Sequence, residues 1–483
     1  MSPPAIARRA KDRYRAASPA VRAALWFTVA AMLTKGVATL TTPIFTRIMS
    51  TDQFGVYSVY RSWLEILGIV TTLRLSGAVF NKGMAKYPED REGFTVTMQT
   101  ITTVMVLLFA AVCAIFPAPV RSITGLSGIM IVAMLVELLF APGVAFWTLR
   151  QRYDHRYRAV VLVSLTTSLG VALLGVLAVV LSADKATSRI IAGALVQGTV
   201  GIVIYYSNVR SAGRLLDRGY ARFALAFNLP LISHYVSMYA LDQLDRIMIG
   251  QLVGLSAVAV YTVGYTVGSS IGLFGDSMSG ALIPWLYQRL QSGEVDRVGH
   301  RLTQVFGLYA VIAIAVAAIA PEFVALLGGL EYAGAAYVVP PVVVGAFFMF
   351  VYTVCGNMEI YYDANRMMIL GSTIAAAANV VLNLLLIPRY GYLAAAYTTL
   401  LCYAALAIGH VVYLRRVSIA RSERSPFPGR GLLLIAVTLV LVVAVLICMY
   451  THPVIRYALF GVIAIAMVWK RDWVGAVLSG RVR

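Results

Sequence analysis

The sequence runs to 483 residues, 60% hydrophobic and 13% charged, with a mean hydropathy of +0.80 and a formal net charge of +19. A soluble chain averages ~45–50% apolar and ~25% charged residues, so a disordered chain and a string of soluble domains are both excluded. In a membrane chain an excess of Lys and Arg marks cytoplasmic loops rather than a nucleic-acid surface.

A helix crosses the ~30 Å hydrocarbon layer with ~20 mostly apolar residues. By that measure the chain holds fourteen runs, near 23–45, 55–80, 95–117, 126–149, 159–182, 188–209, 223–241, 255–283, 302–320, 335–356, 367–387, 392–414, 431–450 and 453–470. Only short turns separate 367–387 from 392–414 and 431–450 from 453–470, so either pair is at risk of merging. The basic stretch 1–22 and the long first run do not fit a cleavable signal peptide, and the N-terminal tail is expected to be kept. Cys113, Cys355, Cys402 and Cys448 all lie in apolar runs, which suggests neither a disulfide framework nor a zinc site.

With the N-terminus placed in the cytoplasm, thirty of the Lys and Arg residues fall in cytoplasmic segments and seven on the opposite side. Lys35, Arg61 and Arg74 lie within runs. A bias of that size fixes the expected orientation, with both termini cytoplasmic in a bacterial inner membrane. The loops are short, and no GxxxxGK[ST] phosphate loop is present, so neither nucleotide hydrolysis nor any cofactor is expected.

Residues 46–60 read TRIMSTDQFGVYSVY, and residues 245–265 read DRIMIGQLVGLSAVAVYTVGY. Each copy places Arg-Ile-Met at the outer end of a run and a Val-Tyr pair at the start of the next. The second copy carries five more residues in its turn. Six runs precede each restart, so two six-helix bundles would be related by a pseudo-two-fold along the membrane normal, as in parallel-repeat transporters. The expected fold is an all-α polytopic membrane protein of about 14 helices. Its expected parts are a basic tail (1–22), two lobes (23–210 and 211–416), a linker (417–430), two extra helices (431–470) and a tail (471–483).

Residues 376–400 read AAANVVLNLLLIPRYGYLAAAYTTL: Asn379 and Asn383 one turn apart, a Leu-Ile-Pro stop, a Tyr-Gly turn and a small-residue face. With PIFTRIMSTDQFGVYSVY (43–60) and LDQLDRIMIG (241–250), this stretch resembles the Wzx-type lipid-linked oligosaccharide flippases of the multidrug/oligosaccharidyl-lipid/polysaccharide exporter superfamily. The resemblance implies a two-lobed transporter in the service of O-antigen, lipopolysaccharide or other surface polysaccharide. Its cargo would be an undecaprenyl-pyrophosphate-linked oligosaccharide moved to the outer leaflet, with a polysaccharide polymerase as candidate partner. Asn379 and Asn383 themselves read first as interhelical hydrogen-bonding residues, and Ala394–Ala396 as a close-packing face.

Ionisable groups at membrane depth are costly and usually face a cavity. Lys35 sits mid-way along the first run, Arg61 and Glu65 share a face of the second, and Arg74 lies toward its cytoplasmic end. These three cations are the expected substrate-binding residues, since a guanidinium grips phosphate with two prongs. An Arg61–Glu65 ion pair and a headgroup contact for Arg74 are the structural alternatives. No nucleotide site exists, so a coupling ion is expected. Glu137 in the fourth run is the first candidate carrier, with Glu65 and His234 behind it, although His234 also suits an interhelical hydrogen bond. Asp245–Arg246 reads as a local pair at a helix end.

Three rivals follow from the same residues. A cation-coupled drug antiporter would want an acidic cavity, against Lys35 and Arg61. A lipid II flippase is chemically closer. A membrane polysaccharide polymerase or ligase would want a large outer loop, and none is present.

Overall fold

The computed structural model describes residues 19–154, 156–364, 366–421, 427 and 429–469. The expected tails (all but the last residues of 1–22, and 471–483) and the centre of the expected linker lie outside them. Among the described residues every regular element is helical. The chain divides into two compact units, Met1–Ile232 and Ser233–Arg483.

The first unit is built from α1 (Pro19–Ile48), α2 (Thr51–Thr72), α3 (Ala78–Lys86), α4 (Arg91–Ile115), α5 (Pro117–Thr124), α6 (Gly128–Tyr153), α7 (Tyr157–Leu181), α8 (Lys185–Ala212) and α9 (Arg218–Asn228). The second holds α10 (Ile232–Leu252), α11 (Leu255–Ser269), α12 (Gly272–Gln291), α13 (Val295–Ala318), α14 (Ala320–Gly328), α15 (Val339–Tyr361), α16 (Arg366–Tyr390), α17 (Tyr392–Ala420), α18 (Gly429–Cys448) and α19 (Pro453–Trp469). Ten described helical segments are long and apolar enough to cross a membrane, which makes the chain a multi-pass membrane protein. The second and seventh runs fall short of that measure because they carry the charges: Arg61 and Glu65 on α2, and Asp242, Asp245 and Arg246 on α10.

Several boundaries differ from the sequence reading. The run 55–80 ends as a helix at Thr72, where Leu73 and Arg74 both turn left-handed (φ 48° and 53°) before α3 begins. The run 223–241 breaks at Leu229–Leu231, around Pro230, which has no N–H to continue a helix. The run 255–283 kinks between Ser269 and Gly272. The pairs at risk of merging stay separate, and Gly391 at φ 69° supplies the left-handed residue that the turn between α16 and α17 needs. In the second copy of the repeat the extra residues lengthen the helix rather than the turn: α10 continues to Leu252, whereas α1 stops at Ile48, one residue past Arg47. Ile247–Ile249 are apolar and buried, so the helix gains by running on.

Helix starts follow local chemistry. Ser50 accepts from the Gln53 N–H, Asp90 from Gly93, Asp184 from Thr187, and Asp217 from Gly219 and Tyr220. In the first unit α6 packs on α8, and in the second α15 is buried along most of its length against α17. The C-terminal pair docks on the second unit: α18 packs against α13, the Tyr450 hydroxyl donates to the Ala317 carbonyl, and Arg456 grips Glu322 through both nitrogens at 2.6 and 2.5 Å.

Candidate functional site

In the first unit three helices converge on a carboxylate. Glu137 on α6 is 3% exposed and accepts hydrogen bonds from the Tyr60 hydroxyl (2.8 Å) and the Gln197 amide (2.7 Å). Arg61 pairs with Glu65 at 2.8 Å and lies 3.8 Å from Glu137. The i,i+4 spacing on α2 places Arg61 and Glu65 on one face. The approach of α6 to α8 depends on small residues: a Cβ on Gly201 would meet Phe140 Cβ at 2.5 Å, and one on Gly198 would meet Val136 at 2.9 Å. That contact brings Gln197 within reach of Glu137. The side chains of Arg61 and Glu65 stay 39% and 41% exposed while Glu137 is closed in, so the cluster offers an accessible guanidinium above a buried acid.

Three of the residues singled out in the sequence, Arg61, Glu65 and Glu137, therefore meet. Lys35 lies on α1, and its side chain falls outside the described residues. Arg74 does not join them. It sits in the turn after α2, and at 1.5 Å per residue that turn is more than ~15 Å along the axis from Arg61. The Asn228 side chain at the end of α9 hydrogen-bonds the Leu73 carbonyl of the same turn.

The second unit contains a centre that the sequence reading passed over. Asp245 is 0% exposed and accepts from Tyr261 (2.5 Å), Thr399 (2.8 Å) and Asn383 (2.8 Å). Asn383 also donates to Asn379 (3.2 Å) and accepts from Thr398, and Asn379 donates to Thr399 (3.0 Å). Asp245 is thus no helix-end partner of Arg246. It turns inward to α11, α16 and α17, while Arg246 donates to the Asp242 carbonyl and lies over the Tyr265 ring at 4.3 Å. The expected interhelical bonding of Asn379 and Asn383 is present, and a carboxylate stands at its middle. Part of the signal was in the sequence: Asn379 and Asn383 are polar residues one turn apart in an apolar helix, and Asp245 lies on another. Nothing local announced that they would meet.

His234 on α10 contacts Ser372 Oγ at 2.9 Å and the Met368 carbonyl at 3.2 Å, a buried hydrogen-bonding role on α16. A further pair, Glu359 on α15 and His410 on α17, meets at 2.5 Å with both side chains fully buried and the Tyr352 ring edge-on to the imidazole. Among the described residues no group of three or more His, Cys, Asp or Glu is arranged to hold a metal. The first unit thus sets the Arg61 guanidinium between two carboxylates, and each unit encloses a buried acid tied to a tyrosine hydroxyl.

The polysaccharide biosynthesis protein family matches residues 20–289, more than half of the chain. The chain belongs to that family. The MatE family matches residues 230–388, largely the second unit. A protein of the Lsg locus of Haemophilus influenzae is 23% identical over 350 residues, 71% of this chain and 84% of that protein. Among solved structures, the lipid II flippase MurJ in an inward closed conformation covers 93% of this chain and 100% of its own, with a TM-score of 0.62 and 12% identity. An inward-facing multidrug resistance MATE family transporter of the MOP superfamily covers 83% and 99%, with a TM-score of 0.59 and 12% identity. The family member thus has the helical fold of that superfamily's transporters.

Proposed function

We propose that the chain is a Wzx-type flippase. It moves undecaprenyl-pyrophosphate-linked oligosaccharide from the cytoplasmic to the outer leaflet of a bacterial inner membrane, by ion-coupled alternating access, for surface polysaccharide such as O-antigen. The observation that carries the reading is Arg61: a guanidinium at mid-span, left accessible, in a chain of a polysaccharide biosynthesis family. A charge at that depth is held for a purpose, and a pyrophosphate suits a fork-shaped cation. Lys35 would add a second positive charge, and Arg74 would meet headgroups at the cytoplasmic interface.

Coupling falls to the buried carboxylates. Glu137 and Glu65 compete with the cargo's phosphate for Arg61, so ion binding at the acids and cargo binding at the guanidinium are linked by one charge balance. Asp245 is the corresponding carboxylate of the second unit, and His234 remains a candidate relay through Ser372. A polysaccharide polymerase would receive the flipped unit. The fold likeness to a lipid II flippase favours lipid II as the second reading.

The test is complementation of strains lacking their own oligosaccharide flippase. Wild type is expected to restore surface polysaccharide, and Arg61→Ala to lose it at equal membrane abundance. Rescue of a lipid II flippase depletion instead would give the second reading precedence. Resistance to cationic dyes without polysaccharide export would overturn both.

A further inference from the structure

The second unit holds a partly open cavity of about 350 Å³ among α10, α11, α12, α15 and α17. Its polar lining is Asp242, Ser269, Thr399 and the tyrosines at 239, 261, 265 and 403, and the rest is apolar. Small-molecule pockets run to ~300–1,000 Å³, so this one lies at the small end of that range and has room for a small ring.

Three occupants can be weighed by chemistry. An organic cation would want an acid with free aromatic faces. Here Arg246 already lies over Tyr265 at 4.3 Å, hydrogen-bonds the Asp242 carbonyl, and sets its positive charge against the Asp242 carboxylate. Asp242 already accepts from Tyr265 and Gln243, and Tyr261 and Thr399 donate to Asp245, but each carboxylate oxygen of Asp242 keeps a further lone pair that an acyl chain would leave facing hydrocarbon. A neutral polyhydroxylated ring answers both objections: its hydroxyls can donate to Asp242 and its C–H faces can lie on tyrosine rings.

We propose that this cavity binds a single sugar ring of the cargo. The inference rests on the flippase reading above and adds to it a sugar site in the second unit. Two wall residues also touch the buried acid: Tyr261 and Thr399 both donate to Asp245. A ring hydroxyl that engages either one competes with Asp245 for the same proton donor, so occupancy of the cavity is felt at Asp245.

The experiment uses the full chain in lipid nanodiscs and two probes, undecaprenyl pyrophosphate and the same lipid carrying one hexose, with affinities read by native mass spectrometry. Wild type is expected to bind the hexosyl lipid about tenfold tighter, equivalent to about 1.4 kcal/mol. Ala346→Leu, which fills the cavity, and Asp242→Asn, which removes its acid, are each expected to bring that ratio close to one with the bare lipid's affinity unchanged. Equal binding of the two lipids by wild type overturns the sugar site and leaves the flippase reading standing. Binding of neither lipid overturns that reading and the site with it. A hexose preference that survives both substitutions, or a cavity substitution that alters the two lipids by the same factor, also overturns the site.

Discussion

Glu137 and Asp245 show how a membrane chain keeps a buried acid: each is surrounded by donors, a tyrosine hydroxyl among them. Tyr60→Phe removes one such donor and is expected to cost ~0.6–2 kcal/mol, measurable by chemical denaturation in micelles. Asp245→Ala should cost more than Asp245→Asn in the same assay. Alanine strands the Tyr261, Asn383 and Thr399 donors at ~1–3 kcal/mol for each group left unpaired, whereas an asparagine oxygen still accepts. Arg61 is shared between acids and cargo. Glu65→Gln is therefore expected to raise affinity for undecaprenyl pyrophosphate several-fold and Arg61→Ala to lower it, read by native mass spectrometry; equal effects of the two would argue against a phosphate contact. At this scale the sequence announced Arg61, Glu65 and Glu137, because a charge in an apolar run stands out. It hid the role of Asp245, because a carboxylate beside an arginine reads as a local pair until the partner helices are in place.

At the scale of elements, the apolar runs foretold the helices well, because hydrocarbon thickness sets a length that sequence can count. Breaks were less legible. Leu73–Arg74 carries no glycine where the backbone turns left-handed, and the lengthened α10 follows from packing of Ile247–Ile249 rather than from any cap. The docking of α19 was not readable at all, since Glu322 and Arg456 are far apart in sequence. Partial burial raises the Glu322 carboxyl, but hydrogen bonds from Arg456 and Tyr457 outweigh it and hold the group below its usual range. A depressed folded value adds stability above the unfolded glutamate value of ~4.3 and loses it as pH falls through the folded one. Hydrogen exchange in 453–462 is therefore expected to stay constant from neutral pH to about 5 and to quicken only in stronger acid, once intrinsic exchange is divided out. Glu322→Gln should show the quickened exchange at neutral pH. Gly201→Leu should force α6 from α8 and weaken the Gln197–Glu137 bond, lowering transport together with stability.

For the molecule as a whole, the polysaccharide biosynthesis family match over residues 20–289 takes in both copies of the Arg-Ile-Met motif, and the chain divides into two compact units between Ile232 and Ser233. From the bias of basic residues we propose that both termini are cytoplasmic, so single cysteines replacing Lys86 and Asp184 are expected to react with a membrane-impermeant reagent from the cytoplasmic and the outer side, respectively. The sequence carries charge and spacing, and hence the multi-pass membrane class. It does not carry cavity shape, which is why a tyrosine-walled pocket appeared only with the fold. The most direct measurement is flipping of fluorescent undecaprenyl-pyrophosphate-linked oligosaccharide in proteoliposomes with an imposed ion gradient. Wild type is expected to expose the sugar to the opposite leaflet and Arg61→Ala to leave it where it started. Movement of a cationic dye with the labelled lipid left in place would contradict a cationic site built for a phosphate-bearing cargo.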